Sequence, residues 1–182
     1  MAIIDIEEVN TNYELCKTCG GECCKRHACD CSPEDFGKDI KKMRKAIESG
    51  NYSIDFARKE SNSFIMNRNE TILSIEKVIE SGKEFFYIRP KNSGRPTVDI
   101  FHGKEDEGPC IFWSKEKGCS LSYEERPKAG RILIPGLCMF SQYTREVMQI
   151  EWVPFTEELG KLAIEFLDST WPLYKQLNLT IE

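Results

Sequence analysis

Cysteine is the residue through which this chain could do chemistry, and the spacing of its cysteines indicates metal binding. Six of the nine cysteines lie within the first 31 residues. A C-x-x-C knuckle brings two thiolates to one metal, and two glycines able to adopt positive φ follow the knuckle. Adjacent cysteines point in different directions, so the two either serve different sites or one binds metal while the other packs; the first reading suggests more than one metal. The six are the knuckle residues Cys16 and Cys19, the adjacent pair Cys23 and Cys24, and Cys29 and Cys31.

The other three cysteines lie far along the chain. Cys110 and Cys119 stand at the two ends of a predicted hairpin, where strand pairing would bring both sulfurs to one edge. They would complete a site that begins near the amino terminus. Cys138 is either a ligand or a small buried residue, because free cysteine often packs as one. His27 lies inside the cluster and is a second open candidate, through its neutral imidazole.

The composition favours a cytoplasmic metal-binding protein. The amino terminus lacks a basic region followed by a long apolar run, so we expect no export. In a reducing compartment, clustered cysteines bind metal more often than they form disulfides. No run of about eighteen apolar residues occurs, so we expect no membrane insertion. The net charge of −5 argues against a nucleic-acid partner.

The cysteine pattern and its flanking segments resemble the YkgJ-type cysteine-cluster proteins. The first matching run is Cys16-x-x-Cys19-x-x-x-Cys23-Cys24, and the second is the Ser-Pro-Glu-Asp-Phe helix start at Ser32. The third combines Gly-Pro-Cys110 with Gly-Cys119-Ser-Leu-Ser-Tyr-Glu-Glu-Arg-Pro. The resemblance covers residues 13–140 and implies a zinc- or iron-chelating domain whose ligands are the matched cysteines.

The chain departs from the family pattern at one ligand position. The family places a cysteine next to an arginine shortly after the Arg-Pro pair, whereas this chain has Gly130 before Arg131. Arg126 and Arg131 are expected on a short helix beside the cluster, donating hydrogen bonds to carboxylates or balancing thiolate charge. The thiolate expected at position 130 is absent, and the candidates to replace it are Cys138, Cys29 and Cys31.

The cysteine count and spacing leave the metal open. Four thiolates suit tetrahedral zinc and a [4Fe–4S] cluster equally, so spacing does not separate Zn²⁺ from iron–sulfur. Without Cys138, the remaining eight cysteines would fill two four-thiolate sites. We therefore expect Cys16, Cys19, Cys23, Cys24, Cys29, Cys31, Cys110 and Cys119 to be the metal ligands.

The predicted function is that of a metal-binding accessory protein acting through a protein partner, as a subunit or protective factor of a redox or metalloenzyme complex. Two alternatives stay open: an enzyme related to the cysteine-cluster lysine N-methylases, and a metal storage or trafficking protein. No glycine-rich cofactor motif follows a strand and no catalytic motif is identified, which favours the accessory role.

The helices and strands expected from the sequence predict an α+β fold in a single domain over residues 1–182. We expect a small cysteine-rich, metal-stabilised domain in which helices pack around two short β-hairpins. Residues 1–31 form the ligand-rich segment, whose shape would depend on metal. An apolar stripe predicts one helix from Ser32 to Gly50. A second short helix is predicted to end near Gly82, and its β-branched content leaves a strand as the alternative. A carboxyl-terminal helix is predicted over residues 156–178, kinked or ended by Pro172.

The strands are predicted from short β-branched and aromatic runs. Residues 85–88 and 98–101 are expected to pair as a first hairpin, and residues 110–121 form the second, turning at 115–118. The mixed, polar segment 51–69 is predicted to be a loop containing at most one short strand.

Overall fold

The structure, a computed structural model, describes residues 20–26, 28–57, 67–99, 108–132 and 143–176. The fold is α+β, as the sequence predicts. The helices are α1 (Glu22–Arg26), α2 (Ile40–Glu48), α3 (Arg68–Ser81), α4 (Lys128–Arg131), α5 (Arg145–Trp152) and α6 (Thr156–Gln176), with 3₁₀ turns at Pro33–Phe36 and Val153–Phe155. The strands are β1 (Tyr52–Ala57), β2 (Phe85–Pro90), β3 (Val98–Asp99), β4 (Trp113–Ser114) and β5 (Gly118–Cys119).

A three-stranded sheet in the order β2–β1–β3 forms the centre of the fold. Strand β1 runs antiparallel to β2, with Ile54 opposite Ile88, and parallel to β3, with Ile54 opposite Val98. All six residues of β2 are buried, which fits its nearly continuous apolar run. The predicted pairing of β2 with β3 is wrong, because β1 lies between them.

Strand β1 lies inside the segment predicted to be a loop with at most one short strand, and it is that strand. Its four central residues are buried although two of them, Ser53 and Asp55, are polar. The Asp55 carboxylate forms an ion pair with the guanidinium of Arg89 on β2, and Arg89 lies 3.4 Å from Asp99 on β3. Arg95 closes the network at 2.6 Å from Asp99. A charge that looks exposed in the sequence is thus balanced inside the sheet.

The predicted helix from Ser32 to Gly50 consists of two pieces. The first is the 3₁₀ turn Pro33–Phe36, after which Gly37 and Lys38 adopt left-handed backbone conformations with φ of 62° and 55°. Asp39 then caps α2 by accepting a hydrogen bond from the Lys41 amide. The apolar stripe survives the break, and α2 packs against β1.

Helix α6 packs across α3 and β2 and covers the sheet. Pro172 lies within α6 and does not end it. Gly160 allows the close approach, because a Cβ there would lie 2.7 Å from Ile79 and 3.1 Å from Phe86. Helix α3 ends at Gly82 as predicted, whereas α5 was not predicted. Across the described segments, we find no helix with the length and apolarity needed to cross a membrane.

The second predicted hairpin is confirmed. Strands β4 and β5 pair antiparallel, with Trp113 opposite Cys119 and Ser114 opposite Gly118. Trp152 links the main core to the cysteine segment, because its indole Nε1 donates a hydrogen bond of 3.0 Å to the carbonyl of Cys31. The described part of the cysteine segment, residues 20–26 and 28–31, therefore contacts both the β4–β5 hairpin and the apolar core.

Candidate metal centre

The described residues 20–26 dock on the β4–β5 hairpin and on Cys110, which precedes it. The amide of Cys110 donates a hydrogen bond of 2.8 Å to the carbonyl of Cys24, which lies in α1. The indole of Trp113 donates one of 3.0 Å to the carbonyl of Gly20. These bonds bring together two parts of the chain that lie more than eighty residues apart, as the prediction of a shared site requires.

Two glycines make this docking possible. Gly118, at the start of β5, has φ of 67°, and a Cβ there would lie 3.0 Å from the backbone carbonyl carbon of Gly20. Backbone atoms cannot move aside as a flexible side chain can. Gly21 in turn packs against Trp113, with 3.3 Å between its ideal Cβ position and the indole. The glycines beside the knuckle therefore serve as a contact surface as well as a turn.

The docking brings the thiols of Cys24 and Cys119 into contact. A hydrogen bond from Cys24 outweighs the effect of burial and, together with a hydrogen bond to the backbone of Leu121 and the nearby guanidinium of Arg126, lowers the pKa of Cys119 to about 6. A thiol with this pKa is largely a thiolate at neutral pH, the form that binds metal. Cys110 lies nearby and is buried, and burial raises its pKa to about 12.

Cys29 occupies the space that a side chain at position 130 would need. An ideal Cβ on Gly130 would lie 3.2 Å from the sulfur of Cys29. Cys29 is one of the candidates to replace the absent thiolate, and its sulfur therefore lies beside position 130. Cys29 also packs against the small apolar cluster formed by Cys24, Ala28 and Cys110.

Cys31 has a different environment, within the main apolar core. Its side chain is 1% exposed, its amide donates to the carbonyl of Ile88, and burial raises the pKa of its thiol well above the usual value. The negative charges of Asp35 and Asp30 add to this effect. Cys31 therefore lies at the side of the cluster that faces the sheet, where burial favours the neutral thiol.

Arginine and carboxylate groups support the cluster as expected for the segment around the Arg-Pro pair. The predicted placement of both arginines on one short helix is wrong, because Pro127 has an extended ψ of 152° and α4 begins at Lys128, after Arg126. Arg131 donates a hydrogen bond of 2.8 Å to Asp35, whose second oxygen accepts from the amides of Ser32 and Lys128 at 2.8 and 3.0 Å. Arg126 is 7% exposed and faces Cys119. One arginine therefore binds a carboxylate and the other balances a thiolate.

Asn92 was missed by the sequence reasoning, although it ties the site together. It is 1% exposed, its Oδ1 accepts from the amide of Ala28 at 3.2 Å, and its Nδ2 donates to the carbonyl of Gly108 at 3.1 Å. One side chain thus connects Ala28, in the amino-terminal segment, to Gly108, two residues before Cys110. An asparagine followed by Ser-Gly reads as a turn residue, so the sequence gives no signal of this role.

The residues that the structure describes do not form a metal site by themselves. Among them, no three histidine, cysteine, aspartate or glutamate side chains are arranged to hold a metal ion. Cys16, Cys19, His27 and Cys138 lie outside the described residues, and of Cys23 only the backbone, in α1, is described. The thiol pair Cys24 and Cys119 has the donor chemistry for a soft metal, and further thiolates would have to come from the amino-terminal cysteines.

Comparisons with known proteins found no matching family model, no matching curated protein and no matching solved structure. The resemblance to the cysteine-cluster proteins therefore stays a prediction from the quoted motifs.

Proposed function

We propose that this chain binds zinc or an iron–sulfur cluster through thiolates contributed by both its amino-terminal segment and its β4–β5 hairpin. The observation that carries this proposal is the contact between the thiols of Cys24 and Cys119, which the hydrogen bond between the backbones of Cys110 and Cys24 holds in register. The cysteines of residues 1–31 would complete the ligand set. Bound metal would hold the two segments together, so that its binding energy contributes to folding.

The metal proposal is tested by purifying the protein anaerobically and measuring its metal and acid-labile sulfide. We expect stoichiometric zinc, or iron with sulfide and a broad visible absorption band. X-ray absorption at the zinc edge should show sulfur neighbours at about 2.3 Å. Cys24→Ser and Cys119→Ser should each lose the metal, while Ser120→Ala, next to Cys119, should keep it. Wild-type protein without metal, or full occupancy in both serine variants, would contradict the proposal.

We further propose that the protein acts in the cytoplasm as an accessory factor through a protein partner. This is supported by Ile150, which is 78% exposed, and Val147, which lies one turn earlier on α5 and is 36% exposed. Neighbouring exposed apolar side chains on one helix face suit a protein contact. Capture of a defined partner from native extract should be lost in Ile150→Asp and retained in Leu73→Asp, which changes an exposed leucine on α3. Turnover of a small molecule by the isolated monomer would contradict the accessory role.

A further inference from the structure

The thiols of Cys24 and Cys119 meet at the junction between helix α1 and strand β5. Helix α1 lies directly against β5, and the two sulfur atoms are within hydrogen-bonding distance of each other. Both side chains are free thiols in this structure. Two thiols in contact form a disulfide when two electrons and two protons are removed from them.

The backbone around both cysteines is held in place by the docking contacts. The carbonyl of Cys24 accepts a hydrogen bond of 2.8 Å from the amide of Cys110, and Cys119 pairs with Trp113 across the hairpin. The ideal Cβ position of Gly21, which precedes α1, lies 3.5 Å from the amide nitrogen of Cys119. A disulfide joins Cα atoms about 4.4–6.8 Å apart, a separation that contacting sulfurs on docked backbones can reach by side-chain rotation.

The two sulfurs differ in their access to solvent, which gives them different roles in an oxidation. Cys119 is partly exposed, whereas Cys24 is buried, with 9% of its surface exposed. A small oxidant such as hydrogen peroxide therefore reaches Cys119 first. An accessible cysteine beside a second, resolving cysteine is the arrangement that redox-sensing proteins use.

The other described thiols are less well placed to link to Cys119. Cys31 is 1% exposed and packs in the main core. The sulfur of Cys29 lies beside Gly130. Cys110 is 6% exposed and belongs to the small apolar cluster, so it is the competing partner that an experiment must distinguish.

We propose that Cys24 and Cys119 are a redox pair that hydrogen peroxide converts to a disulfide, and that this disulfide excludes metal from the site. In the first step, the sulfur of Cys119 attacks a peroxide oxygen, the O–O bond breaks, and Cys119 becomes a sulfenic acid as water leaves. In the second step, the sulfur of Cys24 attacks that of Cys119, the S–O bond breaks, and the hydroxyl leaves as a second water with the thiol proton of Cys24. Two thiols and one peroxide thus give one disulfide and two waters, and the peroxide takes up both electrons.

The disulfide removes two of the proposed thiolate ligands, because a sulfur in an S–S bond no longer has the thiolate charge that binds metal. Oxidation would therefore release the metal or prevent its binding, and bound metal would protect both sulfurs from peroxide. The competition with metal rests on the proposed function, whereas formation of the disulfide does not. The two are therefore measured separately.

The disulfide is tested on the reduced, metal-free full chain, which is treated with equimolar hydrogen peroxide and then blocked with N-ethylmaleimide. Trypsin releases Cys119 in residues 118–128 and Cys24 in residues 18–25, and fragment ions of the linked pair identify the sulfur within the second peptide. We expect Cys24–Cys119 to be the main linkage in the folded chain and to lose this preference when the oxidation is performed in denaturing urea. No linkage, a main linkage of Cys119 to another cysteine, or an equal preference in urea would overturn the redox pair.

The order of the steps is tested with dimedone, which traps sulfenic acids. In Cys24→Ser, the sulfenic acid on Cys119 has no resolving thiol, so we expect about tenfold more dimedone on Cys119 than in the wild type. Ser120→Ala, next to Cys119, should label as the wild type does. Equal labelling of the two variants overturns the assignment of Cys24 as the resolving thiol. Circular dichroism checks the fold of Cys24→Ser, and the wild-type linkage does not depend on it.

The competition is tested with Zn²⁺ alone. The reduced chain should bind zinc, the oxidised chain should bind at least about tenfold less at the same free zinc concentration, and dithiothreitol should restore binding. An oxidised chain that binds zinc as well as the reduced chain overturns the competition. A reduced wild type that takes up no zinc overturns the proposed function and the competition together, while the linkage in the metal-free chain still decides whether the redox pair exists.

Discussion

At the scale of single residues, replacing Asp55 by asparagine is expected to destabilise the fold by about 3 kcal/mol. The substitution removes the carboxylate that pairs with Arg89, and both side chains are almost completely buried. Breaking such a pair is costly because it leaves a desolvated charge without its partner. Urea unfolding followed by circular dichroism measures the loss.

The control for this prediction is Glu157→Gln, which breaks an exposed pair with Lys161 on α6. Surface pairs contribute little, so this variant should stay within about 0.5 kcal/mol of wild type. An equally small loss of stability in Asp55→Asn would contradict the prediction. It would mean that Asp99, 3.4 Å from Arg89, is sufficient to balance the charge of Arg89.

At the scale of elements, the docking of the β4–β5 hairpin depends on Gly118. Gly118→Ala should destabilise the protein and reduce its metal content at least about threefold, because the added methyl group meets the backbone of Gly20. Gly94→Ala is a matched control, since Gly94 has φ of 79° but nothing within 4 Å of its Cβ position. Both variants carry the strain of a positive φ, which costs about 1–3 kcal/mol.

The comparison between the two glycine variants isolates docking from backbone strain. Metal analysis and urea unfolding are performed on both proteins. Equal metal content in Gly118→Ala and Gly94→Ala would mean that the hairpin can separate from Gly20 without loss of the site.

Elements with local signals could be predicted from the sequence. The end of α3 is marked by Gly82, and the turn of the second hairpin by Gly118, because both need a left-handed backbone that glycine adopts readily. The break before α2 had such signals too, in Gly37 and the capping Asp39. The sequence nevertheless predicts one continuous helix, because the apolar stripe continues across the break with unchanged spacing.

Elements that depend on distant partners could not be predicted in this way. The sequence predicts β1 no more precisely than as one short strand within a loop, because its polar residue Asp55 interrupts the apolar pattern, and the balancing charge, Arg89, comes from another strand. The same holds for the site. The pattern of cysteines predicts metal binding, but the contact of Cys24 with Cys119 and the placement of Cys29 beside Gly130 follow from tertiary docking.

The packing of α6 on α3 gives a second prediction at the element scale. Gly160→Leu is expected to destabilise the fold by about 1–3 kcal/mol, since the new side chain must displace Ile79 and Phe86. Lys161→Leu places the same side chain one position along, on the exposed face of the helix, and should cost less than about 0.5 kcal/mol. Thermal unfolding of the two variants measures the difference. Equal melting temperatures would show that α3 and α6 can separate freely.

At the scale of the whole molecule, two parts of the fold derive their stability from different sources. The main core contains large side chains such as Trp152, Phe85 and Leu159, all fully buried. Among the residues that the structure describes, the cluster around the hairpin has three buried members, Cys24, Ala28 and Cys110. Apolar burial contributes about 25 cal/mol per Å², so the small cluster gains much less from packing than the core does. Bound metal would therefore increase the stability of this cluster more than that of the main core.

Removing the metal should therefore loosen one part of the molecule and spare the other. After treatment with a chelator, we expect amides in residues 110–119 to exchange with deuterium at least about tenfold faster, because local opening there is no longer opposed by metal–thiolate bonds. Amides of β2 and α6 should keep most of their protection, since the buried core around Phe85 and Leu159 is unchanged. Hydrogen exchange read out by mass spectrometry compares the two states, with Cys119→Ser as a protein already in the metal-free state. Equal loss of protection in α6 and the hairpin would mean that the whole fold depends on the metal.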